Sequence, residues 1–265
     1  MMNIPLDGAA CHIATAGHDF DATRPTLILI HGAANDHAAW HDMMPMLAAG
    51  RCNVVAPDLP GHGLSGGAPL TSVGALADWV LNLVGALGLK SAALAGHSMG
   101  SLIALEAAAR GGNIVERLAL LGSSVPMPVA GPLLDAARTQ PDSACRMIVD
   151  WSHTPGFSLA SPGGGHGVWG PGKTLAVMRR NAHTLATDLT NCNDYTAGLA
   201  AATRVTCPSL LILGKRDRMT PLRNVQPLAD ALTRVSRCEI ADCGHAMMVE
   251  KPREVSAALL QFIAD

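Results

Sequence analysis

Aromatic residues are scarce in this chain: one tyrosine, three phenylalanines and four tryptophans in 265 residues. Charge is equally thin. Nineteen basic and 21 acidic side chains give a formal net charge of −2 and form no basic run, so the electrostatic footprint that nucleic acid requires is missing. No apolar run approaches the ~20 residues of a membrane-spanning helix. The first twenty residues lack a basic segment followed by an apolar one, which predicts a protein without a secretory signal and a cytoplasmic address. The seven cysteines (Cys11, Cys52, Cys145, Cys192, Cys207, Cys238 and Cys243) include no C-x-x-C pair. Neither a disulfide framework nor a zinc ribbon follows from such spacing.

What the chain has is apolar bulk: 49% of its residues are hydrophobic and only 15% charged. At this length that composition predicts one large α/β domain, or such a domain with an insertion, rather than two independent ones. Short apolar runs at Thr26 to Ile30, Cys52 to Ala56, Ser91 to Ala95 and Arg117 to Leu121 read as buried strands. Helical patterns separate them at Ala39 to Leu47, where Pro45 limits the helix, at Val73 to Leu87 and at Leu102 to Arg110. Alternation of this kind implies a doubly wound, mostly parallel sheet with helices on both faces. Residues 1–24 are weakly patterned, with edge-strand character around Ala10 to Thr15.

From Pro126 the rhythm changes. Pro126, Pro128, Pro132, Pro155, Pro162 and the cluster Gly163-Gly164-Gly165 punctuate helical pieces expected at Leu133 to Thr139, Ala144 to Trp151, Leu175 to Leu185 and Tyr195 to Ala202. Residues 126–204 therefore read as an inserted helical cap, mobile near Gly163, on a core of 1–125 and 205–265. The strand pattern resumes at Pro208 to Leu213 and Arg237 to Ala241, with helices at Asn224 to Thr233 and Arg253 to Ala264.

The chemistry concentrates at Gly96-His97-Ser98-Met99-Gly100. A Gly-x-Ser-x-Gly pentapeptide between a strand and a helix is the context that makes a serine a nucleophile: the tight turn lifts its Oγ clear of the sheet, and the helix start aims N–H groups at a nascent oxyanion. A serine nucleophile needs a general base, and the base an orienting carboxylate. His245 follows the last expected strand, whereas His97 sits beside the serine with its side chain badly placed to reach Oγ. Asp217 leaves the strand before it through a short loop. Asp58 precedes the serine, in a turn that an Asx-type hydrogen bond explains, and Asp242 is only three residues from His245. The order Ser98, Asp217, His245 suits this architecture.

With these pieces in place the chain resembles α/β-hydrolase fold enzymes over essentially its whole length. The resemblance rests on the His31-Gly32 loop, the Pro57-Asp58-Leu59-Pro60-Gly61-His62-Gly63-Leu64-Ser65 turn, the elbow at Ser98, the Asp217 loop and Gly244-His245. It implies a serine hydrolase with no metal and no cofactor, in which the backbone N–H groups of Ala33 and Met99 form the oxyanion hole. The substrate does not carry over with the resemblance, because caps are its variable part; a small-molecule carboxylic ester is expected, with C–C bond or thioester hydrolysis by the same triad as the alternative and a non-catalytic ligand-binding receptor as a third reading. Families on this fold with an aspartate nucleophile, the haloalkane dehalogenases and epoxide hydrolases, are disfavoured by the serine at position 98. His31, Trp151, Phe157 and Trp169 are candidates for substrate contact, with packing as the competing role of the three aromatic residues.

Overall fold

In the computed structural model, residues 1–17, 19–49, 52–155, 157 and 170–264 are described. The chain opens on a hairpin, β1 (Met2–Leu6) and β2 (Ala9–Ala16), turned by Asp7 and Gly8, both at positive φ (49° and 81°). An Asp-Gly pair in a two-residue loop matches the twist of the strands it joins; strand β1, which the weak pattern of residues 1–24 concealed, is marked in the sequence only by that dipeptide. Six more strands follow: β3 (Thr26–Ile30), β4 (Asn53–Pro57), β5 (Ala92–His97), β6 (Val115–Leu121), β7 (Ser209–Gly214) and β8 (Val235–Ile240). They lie in the order β1-β2-β4-β3-β5-β6-β7-β8. The β1–β2 and β2–β4 pairs are antiparallel and the rest parallel.

Period-two alternation divides the strand residues between two cores. Ile28, Ile30, Leu94, Leu118, Leu120 and Leu211 face one side, against Trp79 and Leu83 of α2 (Val73–Ala86) and Leu102 and Leu105 of α3 (Met99–Gly111). Leu27, Leu29, Ala95, Leu121 and Ile212 face the other, against Trp40, Met43 and Leu47 and, from the C-terminal helix, Val255 and Leu259. Buried on both faces, each such leucine contributes about 1.5–3 kcal/mol.

Trp40, Met43 and Leu47 are fully buried as their spacing predicts, but not on one helix. A 3₁₀ turn, His37–Trp40, starts where Asp36 Oδ1 accepts the Ala38 N–H at 2.9 Å, and α1 (Met44–Leu47) follows. Pro45 lies in the first turn of α1, where its missing N–H costs nothing, so it starts this helix rather than limiting it.

Between β6 and β7 come α4 (Gly131–Thr139), α5 (Pro141–Ser152), α6 (Gly170–Arg180), α7 (Leu185–Asp194) and α8 (Gly198–Ala202). Leu133, Ile148, Met178, Leu185 and Leu189 give this segment its own apolar cluster. The single helix expected over Leu175 to Leu185 is broken at Asn181. Its Nδ2 bonds Val177 O at 3.1 Å and Asp36 Oδ2 at 2.9 Å, while its Oδ1 accepts the Gly63 N–H at 2.7 Å. A side chain so engaged competes with the helical ladder. Helix α7 was missed because it turns Asp188 and Asn191 inward beside Leu185 and Leu189, which blurs the apolar period. The remaining helices are α9 (Gln226–Ala231), α10 (Met247–Glu250) and α11 (Pro252–Ala264).

Candidate active site

Ser98 occupies the turn from β5 into α3 at φ 53°, ψ −119°, a region L-residues rarely enter. What holds it there is the absence of side chains on either side. A Cβ on Gly96 would overlap the Gly100 carbonyl, and one on Gly100 would overlap the Ile30 carbonyl of β3. Ser98 N–H donates to Leu121 O on β6 at 3.0 Å, and Ser101 Oγ donates to Ser98 O at 2.6 Å. Both bonds secure the backbone and leave Oγ uncommitted.

Two other strand ends deliver the remaining groups. Asp217 follows β7 and is buried; its Oδ1 accepts the N–H groups of Met219 and Thr220 at 2.8 and 2.9 Å, and its Oδ2 accepts the Thr220 hydroxyl at 2.7 Å. His245 follows β8 and donates from Nδ1 to the same Oδ2 at 2.8 Å. Burial by itself would raise the Asp217 carboxyl, but the His245 charge and hydrogen bond and the Thr220 donors outweigh it and hold the group well below the usual carboxylate range. With Nδ1 committed, His245 Nε2 carries the lone pair; it is buried and has no hydrogen-bond partner among the described residues. The structure forms no Ser98–His245 hydrogen bond, a contact that in hydrolases tightens when substrate binds.

Asp242 takes no part. It turns outward at φ 49° and pairs with Arg216 at 2.6 Å on the surface. Asp58 closes no Asx turn, because the residue two further on is Pro60 and has no N–H; its carboxylate instead accepts His37 N at 2.7 Å, His37 Nδ1 at 2.8 Å and Leu64 N at 2.8 Å. With His12 and His37 it forms the one group among the described residues that offers three ligand atoms within 4.8 Å of one another, and its carboxylate is already occupied by those donors.

Ser98 and His245 line a cavity of about 520 Å³. Its walls are largely apolar, with Leu133, Ile148 and Val177 from the segment between β6 and β7 and Met127 and Val129 leading into it; Lys173, paired with Asp42 at 2.6 Å, and Arg180 supply charge. Ala33 lines the cavity and Met99 opens α3 beside it. No hydrogen bond to another described residue takes up either N–H.

The four substrate-contact candidates separate. Trp151 lines the cavity. His31 does not: it is fully buried, accepts the Leu59 N–H at Nε2 (3.1 Å) and donates from Nδ1 to Gly32 O (2.9 Å). Its reading as a substrate residue is corrected to a core one, because both ring nitrogens are spent inside the protein. Burial and the neighbouring His62 lower its pKa to about 4. Phe157 stacks on His153 at 5.8 Å and is not part of the cavity wall. Trp169 and the Gly163 cluster lie outside the described residues.

Three residues escaped sequence reasoning. Thr220, in the D-x-x-T spacing after Asp217, donates to its carboxylate. His97, buried at the cavity wall, donates from Nε2 to His245 O at 2.9 Å, and burial with the adjacent His245 lowers its pKa to about 3. Glu250 accepts the N–H of Gly244 at 3.2 Å and both the N–H and hydroxyl of Thr154, at 3.1 and 2.7 Å; burial raises its pKa. It thereby ties the residue before His245 to the end of α5.

A family model described as the alpha/beta hydrolase family matches residues 27–258. The chain belongs to that family and is an enzyme of the hydrolase class. Among its relatives, the 2-hydroxymuconate semialdehyde hydrolase of Pseudomonas sp. strain CF600 is 28% identical over 97% of this chain and 92% of that protein. The pimeloyl-[acyl-carrier protein] methyl ester esterase of Aromatoleum aromaticum strain EbN1 is 30% identical over 89% and 97%. The enol-lactonase from Burkholderia xenovorans LB400 superposes with a TM-score of 0.82 over all of both chains at 22% identity, which is a likeness of fold.

Proposed function

We propose that this protein hydrolyses a small-molecule carboxylic ester through an acyl-enzyme on Ser98. The observation that carries the reading is the 2.8 Å bond from His245 Nδ1 to buried Asp217, which leaves Nε2 unpartnered in the cavity that holds Ser98 at its strained turn. Ser98 Oγ attacks the ester carbonyl as His245 Nε2 takes its proton. Asp217 fixes the tautomer and balances the imidazolium. The tetrahedral oxyanion is met by the N–H groups of Ala33 and Met99. His245 then protonates the leaving alkoxide, and water, deprotonated by the same nitrogen, releases the acid and regenerates Ser98. Residues 126–204 act as the cap whose helices wall the cavity from above.

The methyl ester esterase among the relatives supports ester chemistry. The second reading is C–C bond or thioester hydrolysis by the same residues; its C–C form is favoured by the relative named for hydrolysis of a semialdehyde, a substrate without an ester. Assaying p-nitrophenyl acetate beside a dienoate and an acyl-CoA separates the two. The decisive test is Ser98→Ala, expected to lower turnover about 10⁴-fold or more with an unchanged circular dichroism spectrum. Retention of more than about a tenth of the activity sinks the acyl-enzyme, whichever bond is cleaved.

A further inference from the structure

One carboxylate from the cap reaches into the loop that carries Ala33. Asp188 Oδ2, on α7, accepts the Ala34 N–H at 2.8 Å, stands 2.9 Å from His62 Nε2 and lies 2.9 Å from Thr184 Oγ1. Asp188, His62 and Ala34 are each 1% exposed or less. Ala34 is one of four non-glycine residues described at positive φ, 49°, and its Cβ packs in the apolar cluster of the cap helices. The loop is thus held in a strained conformation by a group 154 residues away in the chain.

The protonation states follow from the partners. His62 Nδ1 faces Pro60 O at 3.0 Å and Nε2 faces the carboxylate; both partners only accept, so satisfying them requires two ring hydrogens, an imidazolium. His31, whose ring centroid is 5.0 Å away, is the opposite case: Nε2 accepts the Leu59 N–H, so only Nδ1 carries hydrogen and the ring is neutral. A buried cation therefore meets a buried anion at the junction of the Pro60–His62 turn, the cap and the Ala33–Ala34 loop.

We propose that Asp188 and His62 are positioning residues, a core-to-cap ion pair that fixes the Ala33–Ala34 loop so that the Ala33 N–H points at the oxyanion; this rests on the ester hydrolase reading above. Neither touches substrate. Asp188 acts by holding the next amide along, and His62 by holding Asp188. The pair also makes the loop sensitive to alkali. Burial lowers the His62 pKa, but the Asp188 hydrogen bond and charge, Pro60 O and the Asp58 charge raise it more, leaving it above the ordinary histidine value. Among the described residues, the groups facing the pair from the packed elements are Asp58 after β4, neutral His31 after β3 and Cys192 on α7, while His183 Nε2 lies 3.0 Å from Gly61 O in the adjoining turn. With a raised folded value, the stabilisation is complete below the unfolded histidine pKa of about 6.5 and is lost as pH rises through the folded one.

The test combines two measurements on the full chain. Hydrogen exchange of the Ala34 amide is followed by NMR in the wild type, Asp188→Ala, Asp188→Asn and His62→Gln. Steady-state kinetics with p-nitrophenyl butyrate and inhibition by phenylboronic acid are run on the same proteins across pH. Asp188→Ala is expected to lose Ala34 protection, to lower kcat about 10- to 100-fold, less than the removal of a whole oxyanion donor, and to weaken boronate inhibition by the same factor, with KM within about threefold of wild type. Asp188→Asn, which keeps an accepting oxygen, recovers part of both losses, and His62→Gln abolishes the alkaline fall in kcat. A folded Asp188→Ala or Asp188→Asn with wild-type Ala34 exchange and wild-type kcat overturns the clasp. Should Asp188→Ala not fold, Asp188→Asn decides alone: normal Ala34 protection and an unchanged alkaline limb also overturn the proposal. A wild type that turns over no ester, in which Ala34 protection still depends on Asp188, overturns the ester reading and leaves the clasp standing.

Discussion

His97 Nε2 holds the main-chain carbonyl of His245 at 2.9 Å, with the two rings 4.7 Å apart. The residue before the proposed nucleophile therefore fixes the backbone of the proposed base, and it does so as a neutral donor. Replacing it with alanine removes one neutral hydrogen bond, about 1 kcal/mol, and frees the His245 loop to drift. Expected for His97→Ala is a fall in kcat of about tenfold with KM little changed, and partial recovery in His97→Gln, which can still donate. Equal losses in both variants would point to packing instead.

Asp217→Asn tests the carboxylate. An amide facing His245 Nδ1 favours the wrong tautomer, so kcat should drop on the order of 10⁴-fold with little change in thermal midpoint. Asp242→Asn is the matched control; it loses only a surface pair with Arg216, side chains 58% and 68% exposed, and should behave as wild type. The reverse pattern of kinetics would reassign the acid.

Stability should fall with acid above the carboxylate range. His31 and His97 are buried neutral with pKa values near 4 and 3, through burial and the charge of His62 and His245 respectively. The unfolded chain binds protons on both near pH 6.5 and the folded one does not, so stability is lost as pH drops from there. Between pH 6.5 and 5 each costs up to about 2 kcal/mol. His62, raised, works in the opposite direction and offsets part of this loss near pH 6.5, where its unfolded form is still gaining protons. Urea midpoints at the two pH values measure this; identical midpoints would refute it, and His97→Gln should flatten the dependence by about half.

Two glycine-to-alanine changes bracket the elbow. At Gly96 the new methyl meets the Gly100 carbonyl, backbone that cannot step aside, and the cost should be about 3 kcal/mol or more. At Gly85, in α2, a Cβ has nothing within 4 Å, and alanine should stabilise by about 0.5–1 kcal/mol. Denaturation midpoints of the pair separate elbow strain from a general intolerance of substitution.

Strands β3 to β8 and the strand-end positions of Ser98, Asp217 and His245 were legible because their signals are local: an apolar run, a pentapeptide, a glycine beside a histidine. What the chain hid depends on distance. Asp188 is one of several polar residues in a helical stretch until folding brings it to Ala34, and the Asn181 break depends on partners more than 100 residues away. His31 looked available for substrate because its position after a strand is clear, whereas its engagement by Leu59 N is a tertiary fact. Pro45 was ambiguous for a different reason, since proline stops one helix and starts the next.

The two rims of the sheet are finished differently, and both refuse another strand. Because Asp7 and Gly8 make a two-residue turn, Leu6 and Ala9 form its bonded pair, so at the next rung, Pro5 opposite Ala10, the backbone edge faces away from β2. Proline has no N–H to present there. On the far rim, β8 exposes Ser236, Arg237 and Glu239 in a strand of six, and charged side chains discourage a neighbour from adding on. Concentrating the protein should therefore not zip copies together edge to edge, and a Pro5→Val, Arg237→Val, Glu239→Val triple variant would be the one to watch for fibres.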